Sequence, residues 1–81
     1  MHVVVVGGGS RAAEWITRYL ASGLDVAFDA PADDVDTLRD TVVALWPASD
    51  RLGLFPGASL DRLRVASHTD LAGAALVHVV G

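Results

Sequence analysis

The sequence predicts an α/β fold built on a small parallel sheet, and three observations support that prediction. Short apolar runs rich in β-branched residues recur along the chain, beginning with Val3–Val6. The segments between the first runs place apolar residues at helical spacing. Strands that alternate with helices imply parallel pairing and right-handed crossovers. We therefore expect the element order β-α-β-α-β-β and the strand order 3-2-1-4 within the sheet.

The first strand, Val3–Val6, stops at three consecutive glycines, and a helix is predicted after them. A run of β-branched residues suits a strand that is buried on both faces of a sheet. The helix is expected at Ser10–Ser22, with Ser10 as its N-cap and Gly23 in the left-handed conformation that ends helices. Its apolar positions recur every three or four residues: Ala12, Trp15, Ile16, Tyr19 and Leu20.

One more helix and three more strands are expected further along the chain. They are a strand at Leu24–Phe28, a helix from Asp33 or Asp34 to Trp46, a strand at Leu63–Ala66 and a strand at Ala75–Val80. Pro47 should end the second helix, because proline lacks the backbone N–H that would continue it. Ser59 should cap a brief turn at Leu60–Arg62, and Ser67–Gly73 is expected to be a link or a single helical turn.

The glycine turn after the first strand matches G-x-G-x-x-A, with Gly7, Gly9 and Ala12 in the marked places. In a dinucleotide-binding turn the first glycine makes the bend, the second admits the pyrophosphate, and the third small residue lets helix and strand pack closely. The helix N-terminus adds free N–H donors and partial positive charge. The alternative is an ordinary glycine-rich turn. The flanking strand and helix, together with an acidic residue 22 positions after Gly7, favour a nucleotide site.

That acidic residue is Asp29, which follows the second predicted strand. A carboxylate at this place accepts hydrogen bonds from the adenosine ribose and repels a 2′-phosphate, which favours NAD over NADP. The alternative is an aspartate that caps the next turn. The candidate cofactor-binding residues are those of the turn and the helix start together with this acid: Gly7, Gly9, Ser10, Arg11, Ala12 and Asp29.

Composition narrows the classes of partner. The 81 residues suffice for one small domain, and an apolar fraction of 52% is high for that size, which suggests apolar surface for a partner or a missing continuation. The net charge is −4, with six arginines and no lysine, so neither nucleic acid nor an anionic membrane is an expected partner. The apolar runs are too short to span a bilayer and no signal peptide is recognisable, so the cytoplasm is the expected compartment.

No metal site is expected in this chain. The absence of cysteine excludes disulfides and thiolate ligands. Asp33, Asp34 and Asp36 stand in the first turn of the second predicted helix, where the macrodipole favours negative charge. We interpret them as helix-start residues, because sites made of oxygen ligands usually need carboxylates that converge from loops.

Three stretches of the chain are typical of a known protein family: VVVVGGGSRAAEW, SGLDVAFDAPAD and LGLFPGASLDRLRVASHTDLA. With these stretches the chain resembles the N-terminal NAD-binding domain of the 3-hydroxyacyl-CoA dehydrogenases, closest to the carnitine dehydrogenase branch. The resemblance extends over nearly the whole chain. It implies Gly7, Gly9 and Ala12 at the pyrophosphate of NAD and Asp29 on the adenosine ribose. It also implies a parent enzyme of fatty acid metabolism that oxidises a 3-hydroxy group to a ketone.

The chain departs from that family in three places. It has Ser10, Arg11 and Ala12 where members usually have an apolar pair and a third glycine, and Arg11 either contacts a phosphate or is solvated. The stretch before the fourth strand is shorter than in the family. The family's catalytic histidine and its glutamate partner lie beyond that strand, and none of the three histidines here matches, so no catalytic residue is expected.

Two hypotheses for the function follow. In the first, residues 1–81 are the adenosine-side half of a Rossmann-type NAD-binding domain from an oxidoreductase, which binds the ADP part of NAD and performs no chemistry alone. In the second, the chain is a small stand-alone interaction or assembly module derived from such a domain. The fourth strand would be an edge strand in both cases, which predicts self-association or a missing C-terminal portion.

Overall fold

A computed structural model describes residues 2–80 of the protein, apart from the side chain of His68. Its strands and α-helices are β1 at His2–Val6, α1 at Gly9–Ala21, β2 at Asp25–Asp29, α2 at Val35–Leu52, β3 at Leu63–Val65, α3 at His68–Gly73 and β4 at Leu76–Val79. Two short 3-10 turns, at Ala32–Asp34 and Leu60–Arg62, precede α2 and β3. All adjacent strands are parallel, in the order β3-β2-β1-β4, which confirms the predicted fold class and strand order.

The hydrophobic core lies between one face of the sheet and the helices α1 and α2. Alternate residues of the two central strands point into it, because successive side chains of a strand face opposite sides of the sheet. Its buried members are Val3, Val5, Val26 and Phe28 of the sheet, Ala12, Ala13, Ile16 and Leu20 of α1, and Leu38 and Val42 of α2. Since both β1 and α1 contribute to this core, the turn that joins them is anchored on both sides.

The crossover from β3 to β4 contains α3, which packs against the opposite face of the sheet. The carboxylate of Asp70 in α3 pairs with the Arg64 guanidinium and accepts a hydrogen bond from the Ser67 backbone N–H at 2.8 Å. These contacts lower the pKa of Asp70 to about 2, and the contact with Arg64 has the largest effect. The His2 ring N–H donates to the Asp70 carbonyl at 2.7 Å, so α3 is also joined to the start of β1.

Two helix ends differ from the predictions. The N-cap of α1 is Gly8 and not Ser10, because Gly8 has the extended backbone that an N-cap needs (φ −129°, ψ −176°). The prediction that Pro47 ends the second helix is wrong, since α2 continues to Leu52 and stops before Gly53, whose φ is +103°. Pro47 lies on the exposed side of α2, where the loss of one backbone hydrogen bond costs least.

The remaining boundaries differ from the predicted ones by small amounts. β2 includes Asp29 as its last residue, and β3 is one residue shorter than expected. The predicted cap at Ser59 is confirmed, because its hydroxyl accepts a hydrogen bond from the backbone N–H two residues later at 3.1 Å. The segment expected as a link is α3, which opens with a reciprocal capping box between Ser67 and Asp70. Within residues 2–80, no helix is both long and apolar enough to cross a membrane.

Candidate nucleotide-binding site

The glycine turn lies at the centre of the carboxyl edge of the sheet. β1 has β2 on one side and β4 on the other. On the β2 side the Gly7 N–H donates to the Asp29 carbonyl at 2.9 Å, and on the β4 side the Val80 N–H donates to the Val6 carbonyl at 2.8 Å. The order of strands reverses at this point, and ligands of open parallel sheets bind outside the strand ends at such a reversal.

Position 7 requires glycine, because its backbone packs closely against the residue that follows β4. Its φ is +129°, a backbone conformation that L side chains rarely adopt. A Cβ added at Gly7 would lie 2.4 Å from the carbonyl oxygen of Val80. Gly7 therefore makes the bend expected of the first glycine, and it does so in contact with the sheet.

Gly9, the first residue of α1, has open surroundings instead. Its φ is +84°, and a Cβ built there has no heavy atom within 4 Å. The N-cap Gly8 offers no side chain, so the first N–H groups of α1 receive no hydrogen bond from a capping group. An anion can approach these donors, and the partial positive charge of the helix N-terminus favours it.

The other predicted residues divide between surface and core. Ser10 and Arg11 are exposed in the first turn of α1. Ala12 is fully buried, in the place where a dinucleotide-binding turn needs a small residue for contact between helix and strand. Asp29 is exposed at the end of β2, and its Cα is paired with that of Val6. The structure thus brings Asp29 beside the glycine turn.

The structure adds Asp34 to these residues, which the sequence indicated only as a helix-start residue. Its Oδ2 lies 3.1 Å from the position that a Cβ would take at Gly8. A cleft of about 140 Å³ separates the start of α1 from the first turns of α2, and it is lined by Gly9, Ser10, Asp34, Thr37, Leu38 and Thr41. No spacing rule along the sequence indicates this position, because the contact joins the ends of two different helices.

The two histidine side chains within the described residues take part in packing contacts. His2 lies at the opposite end of β1 from the turn and is bonded to α3. His78 of β4 shares a hydrogen bond of 2.8 Å with the Tyr19 hydroxyl, and its ring packs edge-on against Trp15 with 4.6 Å between centroids. In the same described part, no three histidine or acidic side chains are grouped closely enough to hold a metal ion.

Comparison with known proteins gives a consistent set of relatives. The chain is 46% identical over 66 residues to L-carnitine dehydrogenase of Streptomyces griseus, a match that covers 80% of this chain and 20% of that protein. It is 42% identical over 71 residues to the protein of that name from Streptomyces coelicolor, covering 86% of this chain and 22% of that protein. The protein of that name from Pseudomonas aeruginosa is 44% identical over 70 residues, covering 84% and 22%.

No family model matches the chain, and no solved structure matches it significantly. The chain spans about a fifth of the length of the curated relatives that it matches. Over most of its own length the chain is homologous to the L-carnitine dehydrogenases, which are oxidoreductases, and the resemblance that its three motifs indicated is confirmed.

Proposed function

We propose that this chain binds the ADP part of NAD at the glycine turn, as the nucleotide-binding portion of an oxidoreductase related to L-carnitine dehydrogenase. The observation that supports this most directly is the open backbone at Gly9. It coincides with a helix start that no side chain caps and with the reversal of strand order. An ordinary strand-to-helix turn does not require these features to coincide, whereas a pyrophosphate site does.

Each group at the turn has a role in this proposal. The N–H groups at the start of α1 donate hydrogen bonds to the pyrophosphate. Asp29 accepts hydrogen bonds from the adenosine ribose and repels a 2′-phosphate, so NAD is preferred over NADP. Ala12 sets the distance between helix and strand from its buried position. The nicotinamide of a bound NAD supplies the hydride acceptor, and the residues of this chain hold its adenosine end.

The activity of a whole enzyme is a proposal drawn from the relatives, which are named L-carnitine dehydrogenase. We propose a reaction of the same type, in which the carbon that bears a 3-hydroxy group gives its hydrogen to NAD as hydride and the hydroxyl proton is released, which leaves a ketone. We assign no catalytic group within residues 2–80. His2 lies at the far end of β1 from the turn, and His78 shares a hydrogen bond with Tyr19. The cytoplasmic location expected from the composition stays a prediction.

Two valine substitutions test the binding site. Gly9→Val should abolish NAD binding, because a β-branched side chain blocks the approach of the pyrophosphate to the backbone. Gly53→Val is the matched control, since Gly53 also has a positive φ and an open Cβ position but lies after α2. In calorimetric titrations with NAD, the wild type and Gly53→Val should bind and Gly9→Val should not. Equal binding by the two folded variants would refute the phosphate-binding role of the turn.

The outer edge of β4 favours a second candidate function, that of an interaction or assembly module. Within the described residues β4 pairs with β1 alone, and its Leu76, Val77 and Val79 are 48%, 43% and 70% exposed. The other edge strand, β3, has three residues and includes the charged Arg64. An uncharged apolar edge is a template for another strand. The NAD titration separates the two functions, because a pure interaction module associates without binding nucleotide.

A further inference from the structure

Asp34 has an unusual position for a residue at the start of a helix. It occupies the N-cap of α2, where an aspartate side chain normally accepts a hydrogen bond from its own helix, but it makes no such bond. The reason is its backbone, which is helical (φ −99°, ψ −10°) because the 3-10 turn Ala32–Asp34 leads directly into α2. An N-cap residue needs extended backbone to direct its side chain back to its own N–H groups.

The carboxylate is placed instead against the neighbouring helix start. Its Oδ2 lies 3.1 Å from the Cβ position of Gly8, the N-cap of α1. The first turn of α1 has no acidic residue of its own. Asp34 therefore supplies a negative charge at the positive end of the α1 dipole, which is the charge that a bound phosphate would supply.

We propose that Asp34 competes electrostatically with the pyrophosphate for the N-terminus of α1 and thereby lowers the affinity of the site for nucleotides. This inference rests on the proposed function, and it concerns the affinity of that same site. The carboxylate and a pyrophosphate at Gly9 would be like charges in one cleft, since Asp34 and Gly9 both line it. Asp29 acts differently in this scheme, because it contacts the ribose and not the phosphates.

The expected effect is modest, because the cleft is open to solvent and Asp34 is exposed. Interactions between exposed charges correspond to about a two- to fivefold change in affinity. The effect should shrink as the ionic strength rises, since salt screens exposed charges. It should also require phosphate groups on the ligand, so that a nucleoside without phosphates is bound with unchanged affinity.

The test is Asp34→Asn, with Asp40→Asn as the control. Asn is close to Asp in size, and the Asp34 side chain makes no cap hydrogen bond, so the variant should fold. Its melting temperature should fall only slightly, because one negative charge is lost at the helix N-termini. Asp40 is an exposed acid further along α2, and its replacement makes the same change in net charge. The dissociation constants of ADP and adenosine are measured by calorimetry for the wild type and both variants, at low and high salt.

Asp34→Asn should bind ADP about two- to fivefold more tightly than the wild type at low salt, with no change for adenosine. Asp40→Asn should match the wild type for both ligands. Weaker or unchanged ADP binding by Asp34→Asn would overturn the inference, and weaker binding of both ADP and adenosine would show that Asp34 contacts the nucleoside instead. Equal tightening in both variants would also overturn it, because net charge alone would then explain the effect. If neither the wild type nor the two variants bound ADP or NAD, the proposed function itself would be refuted, and this inference with it.

Discussion

Replacement of Gly7 by alanine should destabilise the fold about twice as much as the same replacement at Gly9. Gly7 has a φ of +129°, and a strained backbone conformation of this kind costs about 1–3 kcal/mol for a residue with a side chain. The added Cβ would also lie 2.4 Å from the Val80 carbonyl oxygen. That oxygen belongs to backbone, so the end of β4 must move and the hydrogen bond from Val80 to Val6, 2.8 Å long, is weakened. The bond is worth about another 1 kcal/mol.

The expected loss for Gly7→Ala is therefore about 2–4 kcal/mol of the free energy of unfolding. A domain of this size has a total of only about 4–12 kcal/mol. Gly9 also has a positive φ, but a Cβ added there meets no atom within 4 Å. Gly9→Ala should therefore lose only about 1–2 kcal/mol of the free energy of unfolding. A loss of 1 kcal/mol lowers the melting temperature of a domain of this size by about 6 °C. In thermal unfolding followed by circular dichroism, Gly7→Ala should therefore melt about 12–24 °C below the wild type and Gly9→Ala about 6–12 °C below. Equal losses in the two variants would refute the packing argument.

Three further predictions concern other parts of the chain. Asp70→Asn should lower the melting temperature at neutral pH, because the ionised carboxylate stabilises the fold. That stabilisation is present above pH 3.8 and is lost as the pH falls to about 2. In calorimetric melts, the difference in melting temperature between the wild type and Asp70→Asn should therefore vanish at about pH 2. Asp29→Ala should narrow the preference for NAD over NADP in titrations, and a preference of the wild type for NADP would indicate that Arg11 controls the choice instead. The wild type should self-associate through β4, and Val79→Lys should shift its mass in sedimentation towards the monomer. Val43→Lys, at another exposed valine on α2, should leave the mass unchanged, and a monomeric wild type would contradict the prediction.

The local elements of the fold were predictable because their signals are short in range. The β-branched run Val3–Val6 and the helical spacing after it each lie within one element, and both are confirmed. The strand order was predictable because alternation of strands and helices leaves few right-handed arrangements. The end of α2 was not predictable from Pro47, because the cost of the carbonyl that a proline leaves unpaired depends on its access to water, which the fold decides.

In the candidate site, too, features within one local unit were predictable and contacts between separate elements were not. The sequence by itself determined the glycine turn and the acid of β2, since the spacing of Gly7, Gly9 and Asp29 is a property of one strand–helix–strand unit. Only the tertiary structure decided which of the two glycines is closed by Val80 and which is open, because that depends on where the end of β4 lies. It also decided that the carboxylate of Asp34 lies at the start of α1, since the packing of α1 against α2 brings two helix N-termini together from separate parts of the chain.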